Sequence, residues 1–171
     1  MYVFQYGSNT LDSQLNGPDR LNGDAIFVAI AALPNHKLSF GVWSSNRKCA
    51  AATLMPANGN WVWGALYNIP EQLVYRDRAK VIFRKSLDQI EGEGTNYRRE
   101  KINVRLSDGS WQEAITYVAM SPKSDIRTSV EYVSFILKGL RERGAPDQYI
   151  SEVTQIAYEN NPDISAALNL P

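Results

Sequence analysis

The pattern of the chain changes at Ile69, and this change constrains the fold more than any other feature of the sequence. Before Ile69, short runs rich in Val, Ile, Ala and aromatic residues alternate with turn residues; after it, helix-like and hairpin patterns dominate. Because strands and helices do not alternate regularly, a doubly wound parallel sheet is disfavoured. We predict an α+β fold with an antiparallel or mixed sheet, either open or closed into a small β-barrel, and with helices packed outside it. The predicted early strands are Tyr2–Tyr6, Ala25–Leu33, Lys37–Trp43, Ala50–Leu54 and Trp61–Ile69.

Two local signals extend this prediction through the middle of the chain. Asn58-Gly59 lies between two strand-like runs and is the residue pair that favours a tight hairpin turn. Pro70 suits the first position of a helix, so we predict a helix, whole or interrupted, from 70 to 91 that ends at Gly92. Its apolar face would consist of Phe83, Leu87 and Ile90.

The last third of the chain predicts a hairpin and two helices. Apolar residues alternate over 102–106, a turn follows at 107–110, and a second strand runs over Trp111–Met120. A capping-box spacing begins a helix at Thr128, and Gly144 ends it. A further helix covers Asp147–Glu159. We therefore predict a single domain over residues 1–160 and a C-terminal tail over 161–171.

Composition excludes several classes of function. The 171 residues include 18 basic and 18 acidic side chains, so no global charge recruits nucleic acid or an anionic membrane, and we expect neither partner. Residues 76–105 carry nine basic and five acidic residues, which is typical of a solvated face. The single cysteine, Cys49, and the single histidine, His36, disfavour a disulfide framework and a zinc site, and we expect no metal. The N-terminus lacks the pattern of a secretory signal, which predicts a cytoplasmic location.

Tyr6, Gly7, Ser8 and Asn9 form the first candidate functional motif. They lie where the first predicted strand ends and a loop begins. A tight turn of this kind can leave successive backbone N–H groups convergent, which forms an anion-binding concavity. The same residue types are also common in turns that bind nothing.

Glu91 is the candidate general acid/base. It lies in the last turn of a predicted helix beside apolar neighbours, and both the helix dipole and partial burial would raise the pKa of its carboxyl. A glutamate at a helix end is also commonly just solvated. Asp88 and Glu93 are rival carboxylates; Asp88 fits better as a solvent-facing residue or as a hydrogen-bond partner of the following loop.

Three tyrosines follow Glu91 on later predicted elements. Each alone is typical of a core or edge residue, and only as a group would they line a pocket. They are Tyr97, Tyr117 and Tyr132.

Four motifs occur in a fixed order along the chain: Tyr6-Gly7-Ser8-Asn9, Trp63-Gly64-Ala65-Leu66-Tyr67, Leu87-Asp88-Gln89-Ile90-Glu91-Gly92 and Tyr97-Arg98-Arg99. Together, in this order, they resemble the gamma-glutamylcyclotransferase superfamily. The resemblance covers most of residues 2–120, and the segment with Tyr132 and Gly144–Tyr149 is similar to longer members that act on gamma-glutamyl amino acids. One departure is the stretch between Pro70 and Leu87, which is several residues longer than usual.

The resemblance implies a small mixed β-barrel flanked by helices and a specific chemistry. In that chemistry the α-amino group of a gamma-glutamyl compound attacks its own side-chain carbonyl, which releases 5-oxoproline and a free amine or amino acid. By position, Glu91 matches the catalytic glutamate. The substrate-binding residues would be Tyr6, Gly7, Ser8, Asn9, Tyr97, Tyr117 and Tyr132. The resemblance implies no metal and no organic cofactor. It does imply a homodimer.

Two other functions stay open from the sequence. An enzyme of the same fold could cleave another gamma-glutamyl amine, and the leaving group would then contact loops such as Trp43–Ala50. A non-catalytic module could instead retain the pocket to bind a small molecule.

Overall fold

A closed five-stranded barrel forms the centre of the computed structural model, which describes residues 1–164. The strand order around the barrel is β1-β3-β2-β4-β5, and β1 closes it by running parallel to β5, with Val3 opposite Ile115. All other neighbours are antiparallel, so the barrel is mixed and the predicted fold class is confirmed. The strands are β1 (Tyr2–Gln5), β2 (Ile26–Ser44), β3 (Cys49–Asn68), β4 (Tyr97–Leu106) and β5 (Trp111–Ala119).

Strands β2 and β3 merge four of the predicted runs into two long antiparallel partners, joined by residues 45–48. The predicted hairpin at Asn58-Gly59 is therefore wrong, because the runs on either side of it both pair with β2 and not with each other. The pair lies instead where the register shifts, and Asn35 Oδ1 accepts a hydrogen bond from Gly59 N–H at 3.1 Å.

The helix predicted over 70–91 is interrupted and consists of three short helices: α2 (Glu71–Val74), α3 (Arg76–Val81) and α4 (Leu87–Glu91). Leu87 is buried, whereas Phe83 lies between α3 and α4 and is exposed, so its assignment to the apolar face is wrong. The interruption has a local cause, since Ser86 caps a new helix. A further helix, α1 (Asp12–Leu15), follows a 3-10 turn over Ser8–Thr10.

Two longer helices complete the described chain: α5 (Val130–Glu142) and α6 (Asp147–Asn160). The N-cap of α5 is Ser129, one residue later than predicted, because its hydroxyl accepts from Tyr132 N–H at 3.2 Å. Ile164 is buried in the main core, so the packed part of the chain extends four residues past the predicted boundary at 160. The rest of the predicted tail, 165–171, lies outside the described residues.

The core has two parts that hold β1 and the loop after it in place. One part lies between the barrel, α5 and α6; the other joins β1 and β3 to α2 and α4. Close packing around β1 depends on Gly64 of β3, because a Cβ there would contact Gln5 O and lie 2.8 Å from Phe4 Cζ. Within residues 1–164, no helix is long and apolar enough to cross a membrane.

Candidate functional site

Helix α4 positions Glu91 as its last residue. A capping box begins the helix: Gln89 N–H donates to Ser86 Oγ at 3.1 Å, and Ser86 N–H donates to Gln89 Oε1 at 2.9 Å. Gly92 ends it with φ of 68°, in the left-handed region that glycine favours, as the sequence predicts. Fixing both ends of a five-residue helix fixes the backbone from which the Glu91 side chain extends.

The turn after β1 approaches Glu91 from the other side. Thr10 N–H donates to Gly7 C=O at 3.0 Å, and Asn9 Nδ2 donates to Glu91 Oε1 at 2.7 Å. A side chain at position 7 would crowd the site, because a Cβ there would lie 3.3 Å from the Tyr132 hydroxyl. Thr10 N–H is the first donor of this turn. The N–H groups of residues 7–9 come before it, so they have no carbonyl partner within the turn.

Tyr97 and Tyr132 meet at one peptide unit of β3. Tyr97 Oη donates to Ala52 C=O at 2.8 Å, and Ala52 N–H donates to Tyr132 Oη at 3.0 Å. Since the Tyr132 oxygen accepts here, its own proton is available to another acceptor. The two rings are thus held at fixed positions beside Glu91.

Tyr6 and Tyr117 are joined in a second chain of hydrogen bonds. Tyr6 Oη donates to the backbone carbonyl of Tyr117, and Tyr117 Oη donates to Asp88 Oδ1 at 2.8 Å. Asp88 is buried, so its solvent-facing interpretation is wrong, and it acts as a hydrogen-bond partner. It also accepts from Arg76 N–H at 3.1 Å and pairs with Arg99 at 3.2 Å.

Two cavities meet at Glu91. The inner one, about 40 Å³, is lined by all eight predicted site residues together with Gln5 and Ala52. The outer one, about 270 Å³, opens toward the turn between β2 and β3 and includes Arg20 and Arg47 in its lining. Both cavities are lined by Ser8, Asn9, Glu91, Tyr97 and Tyr132.

The electrostatics of the site favour a carboxyl that exchanges a proton. Burial raises the pKa of Glu91 above its ordinary value, while the Arg20 charge and the amides of Asn9 and Gln5 oppose that rise. Burial also raises the pKa of Tyr6, Tyr97 and Tyr132, so these phenols stay neutral beside Glu91 at physiological pH. A raised pKa makes a carboxyl a better general acid and base near neutral pH.

Sequence reasoning missed Arg20, which controls the contact between Asn9 and Glu91. Arg20 Nη2 donates to Asn9 Oδ1 at 2.8 Å. Because a guanidinium only donates, the Asn9 oxygen must face Arg20, and its amide nitrogen then faces Glu91. Arg20 lies eleven residues after Asn9 in a loop without periodic pattern, so no sequence signal links the two.

A protein-family model matches most of the chain. The family model of gamma-glutamyl cyclotransferase, AIG2-like proteins matches residues 3–135, which include the beginning of α5 and all of the barrel except Tyr2. The chain belongs to this family. No curated protein sequence matches the chain.

Solved structures share the fold of this family member. A structure named gamma-glutamyl cyclotransferase has a TM-score of 0.75 and 22% identity, over 90% of this chain and 86% of the other. An uncharacterized protein, loc79017, from Homo sapiens has a TM-score of 0.74 and 23% identity, over 90% and 85%. YkqA from Bacillus subtilis has a TM-score of 0.73 and 18% identity, over 92% of this chain and 54% of YkqA.

In this member of the family, substituting Arg20 should change the pKa of Glu91. Arg20→Met removes the charge that opposes the raised pKa, so the pKa of Glu91 should rise further. A carboxyl ¹³C NMR titration measures this, with the signal assigned by its loss in Glu91→Gln. Arg47→Met is the matched control, since Arg47 lies over the Tyr132 ring and should shift the pKa less. An unchanged pKa in Arg20→Met would refute this role.

His36 and Cys49 lie outside both cavities. His36 Nδ1 is 2.7 Å from Pro34 O, and Cys49 is buried, as the sequence predicts for a structural thiol. No cluster of metal-ligating side chains occurs in the part of the chain that the structure describes. We expect His36→Ala and Cys49→Ser to keep near-normal turnover in a steady-state assay; a large loss in either would mean that the chemistry is misassigned.

Proposed function

We propose that this chain is an enzyme that releases 5-oxoproline and a free amine or amino acid from a gamma-glutamyl compound. The observation that carries the proposal is the partly buried Glu91 carboxyl with its raised pKa, facing the two cavities beside the Tyr6–Asn9 turn. A carboxylate in such a position supports proton transfer, which typically contributes 10²–10⁴-fold to a rate.

The proposed reaction is intramolecular and balances without a co-reactant. Glu91 takes a proton from the substrate α-amino group as its nitrogen attacks the γ-carbonyl carbon. A new C–N bond closes the five-membered ring, and the tetrahedral oxyanion collapses. The bond from the γ-carbon to the leaving nitrogen then breaks as Glu91 returns the proton to that nitrogen. No electron transfer occurs, so the proposal includes no cofactor.

The site would contribute mainly by holding the substrate folded. The attacking nitrogen and the carbonyl carbon must approach within roughly 3–3.5 Å. Backbone N–H groups of residues 7–9 would hold the α-carboxylate or the developing oxyanion, and Tyr6, Tyr97, Tyr117 and Tyr132 would contact the substrate around the inner cavity. Asn9 Nδ2 donates a hydrogen bond to Glu91 Oε1, so Oε2 is the oxygen that would carry out the proton transfer.

The leaving group would occupy the outer cavity. Its wall includes Trp43, Ser44, Ser45, Asn46 and Arg47, which belong to the end of β2 and the turn after it. Because polar side chains dominate this wall, a polar leaving group fits it better than an apolar one.

A substrate panel tests the proposal directly. Purified protein is incubated with gamma-glutamyl dipeptides and gamma-glutamyl amines, and 5-oxoproline and the released amine are measured together. Stoichiometric release of both from any member supports the proposal, and the preferred member identifies the leaving group. Binding of a panel member without any 5-oxoproline would favour a non-catalytic binding module.

A cytoplasmic location and a homodimer are further parts of this proposal. Cell fractionation tests the first, and sedimentation equilibrium of the purified protein tests the second.

A further inference from the structure

Helix α3 ends in a stretch of apolar residues that face solvent. Val81, Ile82 and Phe83 are 78%, 43% and 97% exposed, and we call these three residues the apolar tip. Single exposed apolar residues are ordinary, but three adjacent ones that include a fully exposed phenylalanine form a patch that water does not favour.

The backbone holds Phe83 in a conformation that normally belongs to glycine. Phe83 N–H donates to Lys80 O at 3.2 Å and Arg84 N–H donates to Ala79 O at 3.0 Å, which is the pair of hydrogen bonds of a Schellman motif. Phe83 occupies the position after the C-cap with φ of 54°, where a side chain is sterically penalised. The fold thus carries a strained, exposed aromatic where glycine would be more stable, an outlier that calls for a functional reason.

Side-chain contacts anchor the base of the apolar tip. Arg84 Nη2 donates to Leu21 O at 3.0 Å and pairs with Asp24 at 2.8 Å, and Ala79 is fully buried. The three apolar side chains therefore project from a fixed base and do not fold back onto the core.

Basic residues surround the apolar tip. Residues 76–85 include five basic side chains and one acidic side chain, Asp77. Arg78 pairs with Glu71, whereas Lys80 and Lys85 are exposed and form no ion pair within residues 1–164. An apolar centre with unpaired lysines beside it matches the charge and polarity of an anionic lipid surface.

We propose that the apolar tip and its two lysines form a site that binds the surface of an anionic membrane. Phe83 and its apolar neighbours would enter the boundary between headgroups and acyl chains, while Lys80 and Lys85 contact the headgroups. The zero net charge of the chain does not oppose this, because at physiological salt interactions between exposed charges are largely screened beyond about 8 Å. One apolar tip with two lysines predicts reversible binding.

Two other partners fit this surface less well. A single-stranded nucleic acid gains affinity from stacking on aromatic rings, and Val81 and Ile82 offer none. A second copy of this chain, related by a twofold axis, would bring the same unpaired lysines against one another. The surface shares no residue with the two cavities at Glu91, so the proposal does not depend on the activity.

Co-sedimentation with vesicles tests the proposal on the full chain. The vesicles contain phosphatidylglycerol and phosphatidylcholine in equal parts, and pure phosphatidylcholine vesicles are the reference. Phe83→Gly should weaken binding at least about tenfold, because it removes the aromatic side chain. The same variant should unfold at a higher temperature, because glycine relieves the left-handed strain. The double variant Lys80→Gln and Lys85→Gln should weaken binding to the anionic vesicles roughly 30-fold.

A matched control separates this surface from general charge. Lys101 and Lys123 are also exposed, and their double change to Gln should leave vesicle binding at the wild-type level. The proposal is overturned if the wild-type chain does not sediment with the anionic vesicles, or if Phe83→Gly binds as well as wild type. It is equally overturned if Phe83→Gly instead abolishes a dimer in sedimentation equilibrium or binding to a single-stranded oligonucleotide.

Discussion

Replacing Glu91 with Gln should lower turnover of a gamma-glutamyl substrate roughly 10²-fold or more while KM changes little. The amide has nearly the same volume, and its oxygen can still accept a hydrogen bond from Asn9 Nδ2, which lies 2.7 Å from Glu91 Oε1. It cannot take a proton from the attacking amine or return one to the leaving nitrogen. Steady-state kinetics with the preferred member of the panel measures both constants.

The stability of Glu91→Gln separates a catalytic role from a structural one. The pKa of Glu91 is raised in the folded protein, so the carboxyl favours folding most at low pH, and this contribution falls as pH rises from its ordinary pKa through the raised one. At neutral pH the neutral amide should therefore melt at the same temperature or slightly higher. Glu93→Gln is the control, since Glu93 pairs with Arg99 and should retain turnover. Wild-type turnover in Glu91→Gln, or loss of turnover only through unfolding, would refute the assignment.

The pH dependence of the wild-type enzyme follows from the same shift. The base form of Glu91 accumulates only above its raised pKa, so the acidic limb of kcat/KM should lie above the ordinary range for glutamate. Activity should therefore fall on acidification at a higher pH than an exposed glutamate would give.

Local sequence patterns predict most of the strands and the end of the helix that carries Glu91. Alternation and turn residues indicate the strands, and Gly92 marks the end of α4 because it adopts the left-handed conformation that glycine favours. The hairpin at Asn58-Gly59 is wrong because the pairing of β3 with β2 over their whole length outweighs one favourable turn. Phe83 is misplaced because the helix stops at Val81, and helical spacing alone gives no sign of that end.

The candidate site also contains residues that local patterns predict and residues that they do not. The Tyr6–Asn9 turn and Glu91 each have a local signature, whereas Arg20 and Asp88 act through contacts between distant segments. Asp88 accepts from Tyr117, twenty-nine residues later, and such a partner has no sequence signal. Contacts of this kind depend on how the barrel closes, which only the three-dimensional structure shows.

Gly139 of α5 has the second large expected effect, because it lets the helix pack directly on the turn that carries Ser8 and Asn9. A Cβ at position 139 would contact Thr10 Oγ1 and would lie 2.5 Å from Leu11 N and 2.7 Å from Thr10 C. Backbone atoms cannot move aside as the end of a side chain can, so the turn or the helix must shift. We expect Gly139→Ala to reduce the free energy of unfolding by about 2 kcal/mol, although alanine favours helix more than glycine does.

The shift should also reduce activity in the molecules that remain folded. Asn9 holds Glu91 from the same turn, and a displacement of about 1 Å in a positioned group can cost roughly 10²-fold in rate. We expect kcat/KM to fall at least about tenfold at a temperature where the variant is folded by circular dichroism. Ser134→Ala, an exposed change on the same helix, should alter stability by no more than about 0.5 kcal/mol. Wild-type melting and kinetics in Gly139→Ala would show that the turn tolerates displacement, and the close approach of α5 would then not be what positions Asn9 against Glu91.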